Sequence, residues 1–488
     1  SASGGGEVTV NAGINTIAST SATALSVQNT TIGSGGLSFR SISAGNASAD
    51  PDPANGIVLV NTGTVGALTV AGNGSAGTGG TIRNTTGGDG TTAGIGIYLN
   101  NTRSPSFSWM QLNDHQGWGI RGIDVTNLTL ANVVVSGANG TDVSTDEGAV
   151  FFTNLTGTAS VTSSSFSGGV EDNFKVFNTA GTLNRITFTT VNFGANSTSL
   201  GNDALLLQGR GSSVLNATIT GSTFTAARGD LFQFLVEQQA QGDLVFSDNT
   251  LSNNHPNIAA GGGGVTVTSG GDPATDGSAL TYSITGNSLR GSRGSALVVQ
   301  KLAGHGTASG TVSGNLIGVS GQVRSGSVEG SGISIGLVGA GSHTAAIGNN
   351  TIRQYREHGI YVQTGNSATG GGNGGRMVAS ITGNTVSERA VDAGTSTFFP
   401  GNGIRFVNGI ASTDVITACL TITGNSVTGQ GVSPQPDIRV WDRYVAGTFA
   451  LPGLGAPTAN ASAFVQSNNG GTPTVQATSP DQFTTTCP

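Results

Sequence analysis

Residues 284–299 read Ile-Thr-Gly-Asn-Ser-Leu-Arg-Gly-Ser-Arg-Gly-Ser-Ala-Leu-Val-Val. An apolar strand end runs into a Gly-Asn turn, a short stretch follows, and a glycine opens another apolar strand. Period-two alternation sets one row of side chains on one face of a strand. Gly and Asn accept the positive φ of a tight corner. The turn returns as Val312-Ser-Gly-Asn315, Ile381-Thr-Gly-Asn384 and Ile422-Thr-Gly-Asn425, with Ala346-Ile-Gly-Asn349 as a variant. The glycine-led strand returns after Gly56, Gly96, Gly119, Gly148, Gly332, Gly359 and Gly403, and as Ala204-Leu-Leu-Leu. Asn287 to Asn315 is 28 residues, Asn315 to Asn349 is 34, and Asn384 to Asn425 is 41. Such spacing suits coils of roughly 22–25 residues with corner loops of unequal length.

One coil cannot bury its apolar row, but stacked coils can, each strand pairing in parallel with its counterpart one coil on. The expected fold is all-β: a right-handed, single-stranded parallel β-helix (solenoid) of about 11–14 coils with a C-terminal cap. Asn at a repeated corner could stack its amides into a hydrogen-bonded ladder, and a plain turn explains the recurrence almost as well. Residues 1–53 read as less regular N-terminal coils, 54–430 as the main helix, and 431–488 as the cap segment, with Pro434, Pro436, Pro452, Pro457 and Pro473. Leu231–Gln241 has helix-like composition, but its repeat phase suits a strand and corner equally. The runs Gly261–Gly264 and Gly370–Gly375 read as loops.

Composition narrows the function classes. Of 488 residues 81 are Gly, 9% are charged, and the net charge is −7, with two lysines, Lys175 and Lys301. No basic run exists for nucleic acid, and no apolar window of about 18 residues exists for a membrane span. The chain opens at Ser1 without a secretion signal, which reads as a mature or excised segment. Cys419 and Cys487 fit a disulfide pinning the tail to the last coils, with two free buried thiols as the alternative; the bridge implies an oxidising, extracellular compartment. Sequons at Asn29, Asn127 and Asn154 are expected by chance in a chain this rich in Asn, Ser and Thr, and no glycans are assigned.

The Gly-Ile-x-Ile strand with its Ile-x-Gly-Asn turn resembles the parallel β-helix repeat of the pectate-lyase-like superfamily, over about residues 54–430. That superfamily holds lyases, glycosidases, phage tailspikes and adhesin passengers, so the resemblance implies a fold before a function. The opening from Ala24 and the close around Cys419, Asp437 and Phe464 resemble segments of very large bacterial surface proteins built from β-strand repeats.

Candidate chemistry is sparse. Asp146 and Glu147 stand 25 residues before Glu171 and Asp172. One coil apart, the four could share a corner and bind Ca²⁺ through oxygen ligands, or form a solvated acidic corner near Lys175. Calcium is the cofactor entertained; otherwise none is expected. His115, in Trp109-Met-Gln-Leu-Asn-Asp-His-Gln-Gly-Trp118, faintly resembles a lyase motif but departs in spacing, and reads as a turn residue. Gly304-His305-Gly306 resembles a short polygalacturonase motif, without the aspartates that would supply acid and base. Arg353 and Arg356 with Glu357, and Asp437, Arg439, Asp442 and Arg443, are expected to pair locally. Arg439, Trp441, Arg443 and Tyr444 suit a glycan-binding platform or a cover over the helix end, and the cover is preferred.

The expected function is an extracellular structural or adhesive surface module, more readily than an enzyme. Its partners are copies of itself or neighbouring modules, assembling end to end through an edge near Ile14 and Ile17, and possible glycans. The alternative is a polysaccharide lyase or glycosidase acting on or binding an acidic glycan.

Overall fold

The computed structural model describes residues 1–47, 52–272, 275–365, 374–390, 401–428, 435–444 and 446–487. These are strands and turns apart from a 3-10 turn at Val143–Thr145 and a short helix at Ala461–Ser467. The chain divides into two compact units, residues 1–233 with 254–257, and residues 234–253 with 258–488. A coil packs mainly on its neighbours, so composition carries no mark of this division. The expected boundary at 430/431, Pro434 and the first part of the Gly370–Gly375 run lie outside the described residues.

In the first unit a coil typically supplies three strands, as in Phe174–Asn178, Thr182–Thr189 and Asn192–Phe193, and the first two merge in Ile120–Ala131. Each pairs in parallel with its counterpart: Phe151 lies opposite Lys175, Val161 opposite Phe188, and Phe166 opposite Phe193. The second unit repeats the plan in Ile360–Thr364, Gly375–Thr382 and Thr385–Val386. There Val362 pairs with Phe406, Ile381 with Ile422, and Val386 with Val427. This is a parallel β-helix. Ile97 finds Ile120 after 23 residues, whereas Thr382 finds Thr423 after 41.

Alternation sends one side of each strand inward. In the first unit Ile97, Leu99, Phe152, Phe174 and Val176 are fully buried. Phenylalanines fill its centre, with Phe174 edge-on to Phe166 and Phe188 at 5.1 Å and Phe193 stacked on Phe224 at 4.7 Å. Such pairs add to simple area burial.

The glycines serve two needs. At the turns, Gly286 and Gly383 have φ of +68° and +66°, as expected. The strand-opening glycines differ. A Cβ on Gly359 would stand 2.2 Å from Val386 Cγ1 and 2.6 Å from the Gly403 carbonyl. Close approach of the next strand and coil, rather than backbone conformation, selects glycine there.

The amide ladder forms in the second unit through Asn249, Asn287, Asn315, Asn350, Asn384, Asn425 and Asn469. The backbone N–H and side-chain amide of Asn315 both donate to Asn350 Oδ1 at 3.0 Å. In the variant turn the ladder residue is Asn350, not Asn349: Asn349 holds the glycine place at φ +55°. The segment from Leu231 resolves as the strand Phe232–Val236 and a corner with Gln238 at φ +63°.

The cap is the helix Ala461–Ser467, started by Asn460 accepting from Ala463 N–H at 3.1 Å, with Val465 buried beneath. A disulfide joins Cys419, on the strand Ile416–Thr423, to Cys487, 68 residues on. Among the described residues no helix is long and apolar enough to cross a membrane.

Candidate functional site

The x of the Gly-Ile-x-Ile repeat points away from the coil interior, although in the first unit most of these side chains are still buried. Stacking turns it into a column, and both clusters of chemistry lie on such columns.

In the first unit the column runs Val58, Tyr98, Arg121, Phe151, Lys175, Leu206. Arg121 lies 4.1 Å from the Phe151 ring centre and 5.6 Å from that of Trp118. Burial pulls its pKa down to about 10. Lys175 Nζ lies 5.2 Å from the Phe151 ring, 2.6 Å from Asp146 Oδ1 and 3.7 Å from Asp172 Oδ2. Burial, with Asp172 beside it and the Asp146 side chain nearby, pushes the Glu171 pKa up to about 8. Burial likewise raises Asp172 to about 6. Asp203 N–H donates to Asp172 Oδ1 at 2.8 Å, and Asp230 N–H to Asp203 Oδ1 at 2.7 Å. Three aspartates thus stand one per coil, just before successive strands.

Of the four carboxylates expected to share a calcium site, three meet and one does not. Glu147 turns away and is buried, accepting from Gly90 N–H at 2.9 Å, Thr141 N–H at 2.7 Å and Asp142 N–H at 2.9 Å. Asp146 and Asp172 pair with Lys175, whose ammonium supplies the positive charge locally, and Glu171 lies beside them. Among the described residues no three His, Cys, Asp or Glu side chains are arranged to hold a metal ion.

In the second unit the column reads Tyr361, Arg405, Arg439, with Gln363, Val407 and Trp441 beside it. The Trp441 ring is approached by Arg439 at 4.4 Å, Arg443 at 5.2 Å and Arg405 at 5.9 Å. Arg443 also lies 5.2 Å from Tyr444, and Arg405 5.9 Å from Tyr361. Burial lowers the pKa of Arg405, Arg439 and Arg389. Arg405 Nε and Arg439 Nε are buried without a hydrogen-bond partner. His358 is buried, and that burial, with Arg405, Arg389 and Arg439 nearby, holds it well below its usual pKa. Its Nδ1 accepts from Asn402 N–H at 3.1 Å, which leaves the ring proton on Nε2. Burial raises Glu357 despite Arg356, Arg389 and Arg405 nearby.

Arg439, Trp441, Arg443 and Tyr444 therefore meet, but not as a cover over the helix end. Another strand pairs beyond them, with Arg439 opposite Gln476 and Trp441 opposite Thr478. The acidic neighbours are engaged elsewhere. Asp437 accepts from Thr474 N–H and Oγ1 at 2.9 Å, and Asp442 from Asn408 Nδ2 and Ser479 Oγ at 3.1 and 2.8 Å. Arg353 Nε lies 3.8 Å from Glu388, a coil away, rather than pairing with Glu357.

His115 is not on a turn. It ends the strand Met110–His115, buried, with Nδ1 2.8 Å from Thr85 Oγ1, and burial drives its pKa to about 3. His305 is exposed on a loop. Ile14 is 77% exposed, whereas Ile17 is half-buried.

Sequence reading passed over Arg121, Asp203, Asp230, Tyr361 and Arg405. A signal existed for three of them: Gly119-Ile-Arg, Gly359-Ile-Tyr and Gly403-Ile-Arg place Arg121, Tyr361 and Arg405 at the same position of one motif. No protein-family model, curated protein or solved structure matches the chain. Fold and site define a parallel β-helix that displays guanidinium and aromatic groups on an outward strand column.

Proposed function

We propose that this chain is an extracellular, adhesive β-solenoid that holds an acidic polysaccharide against the Arg405–Arg439–Trp441 face. The observation that carries the reading is three guanidiniums gathered on one indole. Arg405 and Arg439 are direct cross-strand neighbours, and like charges so placed repel. Their buried Nε groups lack acceptors. A carboxylate or sulfate lying across them would relieve both costs, because the guanidinium fork matches a planar or tetrahedral anion. The half-buried faces of Trp441, Tyr444 and Tyr361 offer flat apolar surface for sugar rings.

The test is calorimetric titration with oligogalacturonate and, separately, an uncharged cello-oligosaccharide. The acidic ligand is expected to bind, to weaken with added salt, and to lose about tenfold affinity in Trp441→Ala and in Arg439→Ala. Equal binding of the neutral sugar, or unchanged affinity in both variants, would overturn the reading. Turnover by β-elimination is the second reading, favoured by the Glu357 carboxyl and neutral His358 beside the arginines. It predicts an unsaturated, ultraviolet-absorbing product from the same ligand.

A further inference from the structure

The first unit contains a lysine and an aspartate in direct contact, with a second acid beside them. Lys175 Nζ is 2.6 Å from Asp146 Oδ1, and the Glu171 carboxyl lies beside the same Asp146 side chain, close enough for Asp146 to shift the titration of Glu171. All three groups are held by the fold. Lys175 stands on the strand Phe174–Asn178 against the Phe151 ring, and its side chain is 10% exposed. Asp146 sits at φ +58° after the 3-10 turn, its carbonyl accepting from Trp118 Nε1 at 2.7 Å. An amine and a carboxyl held in contact react as one molecule, which removes the entropic cost of bringing them together.

We propose that Lys175 and Asp146 become joined by a side-chain amide, formed with loss of water and assisted by Glu171. The steps balance without a redox partner. The Lys175 ammonium gives one proton to Asp172, whose Oδ2 is 3.7 Å from Nζ. The freed lone pair attacks Asp146 Cγ, forming the N–C bond. The C–O bond breaks with its electron pair on oxygen. That oxygen takes one proton from Glu171 and one from the nitrogen, and leaves as water. Asp172 then returns its proton to Glu171, its neighbour in the chain. Burial supports the roles, because Glu171, raised to about 8, is largely protonated near neutral pH and can hydrogen-bond the electrophile. The Asp146 side chain is 44% exposed, so the water has a way out. The amide would staple the loop carrying Thr141–Glu147 to the next coil and neutralise two charges.

The chain carries its own control. Its other lysine, Lys301, is fully buried, and its Nζ donates to the Leu302, Gly304 and Ala340 carbonyls at 2.6, 2.8 and 3.3 Å. Carbonyls of the backbone are not electrophiles that an amine displaces under these conditions.

The experiment is the intact mass of the purified, reduced and denatured protein, followed by peptide mapping. The expected mass is one water below that of the sequence, with the deficit in a peptide joining Lys175 to Asp146. Lys175→Arg and Asp146→Ala should each restore the full mass. Glu171→Gln should give mostly unjoined protein. A wild-type mass equal to the sequence, or a deficit mapping elsewhere, overturns the proposal. A full deficit in Glu171→Gln overturns the part given to Glu171.

Discussion

Both units line a corner with asparagine, but at different corners and at different depths. In the second unit the residues from Asn249 to Asn469 are buried, and each amide is bonded to the next. In the first unit the comparable amides are exposed: Asn61 Nδ2 donates to Asn29 Oδ1 at 2.8 Å, and Asn101 Nδ2 to Asn61 Oδ1 at 2.9 Å. These asparagines take the positive φ themselves, at 49°, 50° and 47°. At the inner corner of the first unit serine replaces the amide, with Val133 N–H donating to Ser164 Oγ at 3.0 Å and Val191 N–H to Ser222 Oγ at 3.1 Å. The same residue type therefore does two jobs. Buried, the ladder satisfies backbone groups that no water can reach. Exposed, it mainly supplies a residue tolerant of αL.

The largest expected difference comes from breaking one rung. Asn350→Ala strands the Asn315 N–H and side-chain amide, and removes the donor to the Val312 carbonyl. A loss of about 3–5 kcal/mol is expected from several buried groups left unmet. Hydrogen exchange should localise it to the coils beside residue 350, since stability in stacked repeats is partly local. Protection unchanged there would mean that water fills the gap.

Acid should loosen both units, by a smaller amount and through different histidines. Burial holds His115 down to about 3 in the first unit and His343 to about 4 in the second. Each folded imidazole stays neutral where the unfolded one, near 6.5, has gained a proton. The unfolded state then binds more protons, and stability falls as pH drops from 6.5 toward those values, by about 1.4 kcal/mol per unit for each histidine. Denaturant midpoints at pH 7 and pH 4.5 measure it. His343 is doubly partnered, with Tyr282 Oη at 2.9 Å and the Gly336 carbonyl at 2.8 Å. His115 Nε2 is buried without a partner. Replacing either by glutamine should flatten the slope in its own unit.

The smallest effect is expected at the exposed ladder. Asn61→Gly keeps the positive φ and loses only a water-accessible amide, so a shift within about 0.5 kcal/mol is expected. A change as large as that of Asn350→Ala would erase the distinction between the two ladders.

Much of the fold was legible. The recurrence of Gly-Ile-x-Ile strands and Gly-Asn turns already implied parallel stacking, because a short alternating strand must bury one face somewhere. The cap was legible from its prolines and from Cys487. The sites were less so. Glu147 and Glu171 are alike in sequence, yet one clamps a loop by accepting backbone N–H groups and the other lies beside Asp146 and Asp172. Whether Trp441 covers the helix end depends on what pairs next to it. The strand that pairs beyond it, Val475–Thr478, carries no strong pattern of its own.

Sequence alone determined what each coil is: where a strand alternates, where a corner needs glycine or asparagine, and which residue of the motif points outward. Those properties are local, set by φ and by the period of two. Only the tertiary structure decided which residues share a column. Coils differ in length because their loops differ, so alignment depends on pairing between strands rather than on counting. That is why Asn350 and not Asn349 joins the ladder, why Arg405 meets Trp441, and why Lys175 comes to lie against Asp146.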